Sequence, residues 1–81
     1  FNPSTQIPFE LAERSEVTLT VYSILGHEVA SLVNNRSMNA GTHVVTFNAD
    51  NLSSGIYIYR FQASGTDGRT TIEKGKMTLI K

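Results

Sequence analysis

Apolar and polar positions alternate along most of this chain with a period of two, and turn residues break the pattern at intervals. That is the signature of half-buried antiparallel strands. Ile7, Phe9 and Leu11 share one face of the first run, with Gln6 and Glu10 on the other, and Ala12 to Ser15 reads as a polar turn. In the second run Val17, Leu19 and Val21 oppose Thr18, Thr20 and Tyr22, and the β-branched content favours a strand. Ser23-Ile24-Leu25-Gly26 predicts a tight connection in which Gly26 supplies a positive φ. His27 to Val33 then returns as a strand. Val29, Leu32 and Val33 also fit helical spacing, but the run is short and its flanks are rich in turn residues.

Asn34 to Ala40 reads as a polar loop ending at Gly41, after which His43, Val45 and Phe47 alternate with Thr42, Val44 and Thr46. Asn48 to Ser54 is a second loop of residues that satisfy their own backbone in turns. From Ile56 to Ala63 the faces are Tyr57, Tyr59, Phe61, Ala63 and Ile56, Ile58, Arg60, Gln62. Apolar area on both sides predicts a central strand. Ser64 to Arg69 contains an Asp-Gly hairpin signal, and in the last run, Thr70 to Lys81, the Lys74-Gly75 pair predicts a bulge, beyond which Met77 and Leu79 point the same way. Six or seven short strands without a helix predict an all-β, immunoglobulin-like antiparallel sandwich, with residues 1–81 as one domain.

Tyr57 opens its strand straight after the Leu52-Ser53-Ser54-Gly55 loop, the position of a tyrosine corner, whose hydroxyl bonds back to the preceding loop. Gly55 there is expected to permit a close approach of strand to loop. Tyr57, Tyr59 and Phe61 read first as a core stripe, and a sugar-stacking platform is the alternative.

Composition narrows the function classes. Hydrophobic residues make up 40% of the 81, so a packed core is affordable and disorder is not expected. The absence of cysteine excludes disulfides, thiolate metal sites and cysteine nucleophiles. No apolar run approaches the roughly 20 residues of a membrane helix, and no signal-peptide pattern opens the chain. A first residue of Phe1 leads us to expect a piece of a longer protein.

Seven basic and seven acidic residues cancel, which argues against nucleic acid or an anionic membrane as the main partner. The charges are unevenly placed. Glu10, Glu13, Glu16 and Glu28 face only Arg14 in residues 1–28, whereas Arg69, Lys74, Lys76 and Lys81 face only Glu73 in residues 69–81. The basic stretch reads as the protected side of an edge strand or as a docking stripe.

Candidate chemistry is sparse. His27 and His43 lack ligand spacing with Glu28 or Asp50, and Asn48-Ala49-Asp50-Asn51 offers calcium a single carboxylate, so an Asx turn accounts for it better. No serine lies in a nucleophile elbow, no phosphate loop opens a helix, and Glu10, Glu13 and Glu16 flank a turn rather than a cleft. No cofactor, metal or catalytic residue is expected.

Five segments carry a family resemblance: Asn2-Pro3-Ser4-Thr5-Gln6-Ile7, the run from Val17 to Val29, Ala40-Gly41-Thr42-His43, the run from Leu52 to Arg60, and Lys76-Met77-Thr78-Leu79-Ile80-Lys81. In this order they resemble the C-terminal sorting domain of type IX secretion cargo, type A. The resemblance implies a signal for an upstream cargo domain that reaches the periplasm first and is then recognised by the outer-membrane type IX translocon. The cargo is then released or, after a sortase-like peptidase acts, anchored at the surface. It implies recognition residues at Gly55, Tyr57, Lys76, Met77, Leu79 and Lys81. The chain also resembles the immunoglobulin-like domain of flagellar hook-capping proteins, which would make it a structural spacer. A carbohydrate-binding sandwich is the other alternative, with Tyr22, Tyr57 and Tyr59 as its few aromatics.

Overall fold

The structure, a computed structural model, describes residues 3–81. Its strands are β1 (Ser4–Leu11), β2 (Ser15–Ser23), β3 (Glu28–Met38), β4 (Gly41–Asn48), β5 (Gly55–Gly65) and β6 (Thr70–Leu79). Every pairing is antiparallel, and the strands form a two-stranded sheet β1-β4 and a four-stranded sheet β3-β2-β5-β6. This is the expected sandwich, with β5 inside its sheet.

Alternation is what builds the core. Val17, Leu19 and Val21 on β2 have no exposed surface, and Tyr57, Phe61 and Ala63 on β5 continue the layer. Ile7 and Leu11 of β1, Phe47 of β4 and the adjoining Ala49 close over it from the other sheet. Each fully buried side chain of this size contributes about 1.5–3 kcal/mol of hydrophobic free energy. Phe9 joins the two sheets, its ring 4.8 Å from that of Phe61 and stacked on His43 at 5.4 Å.

The turns follow their residues. Gly26 has φ 89°, and the Ser23 and Gly26 amides close the β2–β3 hairpin on the carbonyls of His27 and Ser23. Glu13, in the β1–β2 turn, accepts from Thr66 Oγ1 at 3.2 Å and the Asp67 amide at 3.3 Å, tying that turn to the β5–β6 hairpin.

Two local expectations are corrected. Of the stretch from Asn34 to Ala40 only Asn39 and Ala40 form the connection, because β3 runs on to Met38. It does so as an irregular edge: the register against β2 slips between Val17 and Leu19, where Asn35 takes φ 48° and its amide donates to Thr18 Oγ1 at 3.2 Å. Asparagine tolerates the left-handed region better than most residues, and bulges are common on edge strands.

The expected bulge at Lys74-Gly75 is absent, since the β5–β6 register is unbroken from Gly55↔Leu79 to Ser64↔Thr70. Glycine stands at 75 for another reason. Tyr59 is directly opposite, and a Cβ on Gly75 would overlap its ring.

Candidate recognition site

The residues expected to carry recognition divide between one end of the sandwich and one outer face. At the end, the loop between β4 and β5 is held from several sides. The Leu52 amide donates to the Ala49 carbonyl at 3.0 Å, the Asp50 amide to Asn48 Oδ1 at 3.0 Å, and the Ala49 amide to the Pro3 carbonyl at 2.8 Å. The Asx turn is the one expected of Asn48, and it occupies the segment considered for calcium.

Tyr57 secures the loop from beneath. Its side chain is 8% exposed and its hydroxyl donates to the Ser53 carbonyl at 2.6 Å, which is the tyrosine corner. Gly55, between them, has φ 155°, a conformation that side-chain-bearing residues rarely adopt, and there is open space where its Cβ would stand. Gly55 is therefore required by backbone conformation rather than by the close approach expected for it.

The chain end returns to the same loop. Past the end of β6, the Lys81 amide donates to Ser54 Oγ at 3.1 Å and its ammonium to the Asp50 carbonyl at 2.6 Å. Leu79 is opposite Gly55 and buried, and Met77 is opposite Tyr57 and packs on the core. Gly55, Tyr57, Met77, Leu79 and Lys81 thus converge on one pole, with Met77 and Leu79 as its packing. Exposed Ile24 and Leu25 stand in the β2–β3 turn at the same end, because Ser23 is opposite Tyr57.

Lys76 is not part of this pole. It is opposite Ile58 on the outer face of the four-stranded sheet, whereas Lys81 reaches the 49–54 loop. Sequence reasoning missed Ser53, Ser54, Asp50 and Pro3 as partners. The backbone carbonyls among them leave no trace in residue identity, and only the seryl hydroxyl of Ser54 offered a signal.

The other chemistry considered is dispersed. His43 Nε2 lies 2.7 Å from the Asn39 carbonyl, while His27 is exposed after the β2–β3 turn. No group of three or more His, Asp or Glu side chains able to hold a metal occurs among the described residues. A groove of about 510 Å³ opens between β1 and the β5–β6 hairpin, floored by Phe9 and Phe61 and rimmed by Glu10, Glu13 and Glu73. The tyrosines form no exposed platform: Tyr57 is buried and Tyr59 packs on the core and Gly75, whereas Tyr22 belongs to the other face of its sheet.

No curated protein matches the sequence. Among solved structures, the fold is similar to that of CopC from Methylosinus trichosporium OB3b, with a TM-score of 0.69 at 17% identity over 98% of this chain and 79% of that one. At that identity the likeness speaks for the sandwich alone. The family model of the secretion system C-terminal sorting domain matches residues 2–74, which includes the tyrosine corner and stops just short of Lys76. The chain belongs to that family, the C-terminal sorting signals of type IX secretion.

Proposed function

We propose that residues 1–81 act as one folded address that follows a cargo domain and is read at the pole built by Gly55, Tyr57, Leu79 and Lys81. The family is one of sorting signals and not of catalysts, and it implies export to the cell surface or beyond. On our reading the cargo enters the periplasm first, the outer-membrane translocon recognises the pole, and a sortase-like peptidase acts on the exported protein. The chain itself contributes no catalysis, cofactor or metal.

One observation carries the reading. Tyr57 and Lys81 are far apart in sequence, yet both donate to carbonyls of the same loop, at Ser53 and Asp50. A translocon that read a linear tail would need neither bond. One that reads a folded surface needs both, because each fixes the loop that would be presented. Tyr57, Met77 and Leu79 then act by shaping the pole, whereas Lys81 and the loop are what a receptor touches. Lys76 contributes from the adjoining face.

The test fuses residues 1–81 to a periplasm-directed reporter in a type IX-competent bacterium and compares Gly55→Val, Tyr57→Phe and deletion of Lys76 to Lys81. Export of the parent and its loss in the deletion and in Gly55→Val are expected, with a partial loss in Tyr57→Phe. Unchanged export in the deletion would contradict the role of the pole.

A further inference from the structure

Three cations on the outer face of the four-stranded sheet have no carboxylate partner among the described residues. Arg60 on β5 is directly opposite Lys74 on β6, and Lys76 follows two residues on, opposite Ile58. Alternate residues of a strand are about 6.6 Å apart and neighbouring strands about 4.8 Å, so the three charges fall in one patch. Like charges directly opposite each other weaken an antiparallel pair. Among the described residues no ion pair offsets this one. Arg60 donates to the neutral Gln62 Oε1 at 2.9 Å, and the one ion pair among the described residues is Arg69 with Asp67.

Carboxylates are available in the chain but are placed elsewhere. On the same face by register, Glu16 is opposite Ser64, four residues along β5 from Arg60, and Glu28 is beyond Tyr22 on the far edge strand. Glu73, adjacent to Lys74 in sequence, alternates to the inner side and rims the groove with Glu10 and Glu13. Apolar residues flank the cations instead: Ile58 half-buried, Ile56 36% exposed and Ile72 50% exposed, all on the cationic face.

The shape of this patch bears on what it binds. A single phosphate is held by donors that converge in a concavity, and the groove between β1 and the β5–β6 hairpin lies elsewhere; a net charge of zero argues against an anionic bilayer. A flat surface of isoleucines interrupted by unpaired cations complements a protein surface of carboxylates set among apolar residues.

We propose that the outer face of β5 and β6, through Arg60, Lys74 and Lys76 with Ile58 and Ile72, docks an acidic, partly apolar protein surface of the export machinery. The proposal rests on the sorting-signal reading. It adds to the motif residues Arg60 and Lys74, and it gives Lys76 a role separate from that of Lys81.

The decisive variant is Lys74→Glu, which turns a like-charge pair into an opposite one. Stability and export should therefore move in opposite directions: the urea midpoint of the purified chain rises or holds, while export of the reporter fused to residues 1–81 falls about tenfold. Lys74→Arg should export as the parent does, and so should Arg69→Gln, which removes a cation outside the face. Full export of Lys74→Glu overturns the proposal, and so does a fall in both midpoint and export, which would place the loss in folding. Vesicles of phosphatidylglycerol and phosphatidylcholine supply the remaining arm. Salt-sensitive cosedimentation of the parent chain, abolished by Lys74→Glu, would reassign the face to anionic lipid and overturn a protein partner. Failure of the parent fusion to be exported would refute the sorting reading itself, whereas an exported parent with an equally exported Lys74→Glu refutes the face alone.

Discussion

The ring of Tyr59 covers Gly75 directly across the β5–β6 pair, filling the space that a side chain at 75 would take. A glycine inside a strand is otherwise a weakness, because it brings backbone entropy and no packing. Here the aromatic side chain of the neighbouring strand makes good the missing contact, and the register passes through without a slip. Gly75→Ala should therefore destabilise the chain by about 1–3 kcal/mol, where an alanine in an uncrowded strand would have stabilised it. Urea unfolding measures this, and in a double-mutant cycle Tyr59→Leu should recover much of the loss. An unchanged midpoint for Gly75→Ala would show that the ring swings aside freely.

Tyr57→Phe removes the bond to the Ser53 carbonyl and leaves the buried ring in place. Because Ser53 is exposed, water can replace the lost donor, and the expected cost is about 1 kcal/mol. Amide exchange should quicken at Leu52, whose bond to Ala49 belongs to the same loop. A loss several times larger would mean that the ring had moved as well.

Asn35 holds φ 48° where β3 slips against β2, and its side chain is exposed. Asn35→Gly should be neutral or slightly stabilising, whereas Asn35→Val should cost about 1–2 kcal/mol, since a β-branched residue is strained in that region. Equal midpoints for the two variants would contradict a left-handed residue at this position.

How much of this could be read in the sequence depends on how one-sided each strand is. β1, β2, β4 and β5 each bury an alternating apolar face, so the alternation of Ile7, Phe9 and Leu11 or of Val17, Leu19 and Val21 displayed them directly. The stretch of β3 before Met38 buries neither face: Asn34, Asn35, Arg36 and Ser37 are all exposed, and a strand segment with no buried side is indistinguishable in sequence from a loop. Gly75 suggested a bulge because residue identity does not reveal what lies across the sheet. The tyrosine corner was legible from Tyr57 and its loop. Its acceptor and the Lys81 contact were not, because both end on backbone carbonyls that any residue would supply. Parity separated Lys76 from Lys81 only once the strand carrying Lys76 was seen to end at Leu79.

Lys81→Ala should leave the unfolding free energy within about 0.5 kcal/mol of the parent, because both Lys81 bonds are exposed. Its effect should appear in the 49–54 loop as faster amide exchange, and in export as a reduction. A large drop in stability with unchanged export would make Lys81 a structural residue only.

The central claim is that this chain is a folded address for type IX export. The most direct measurement is the location of a periplasm-directed reporter fused to residues 1–81, followed in a type IX-competent bacterium and in its otherwise identical derivative lacking a working translocon. The account predicts reporter at the surface or in the medium of the first and trapped in the periplasm of the second. Retention in both strains, or equal release from both, would contradict it.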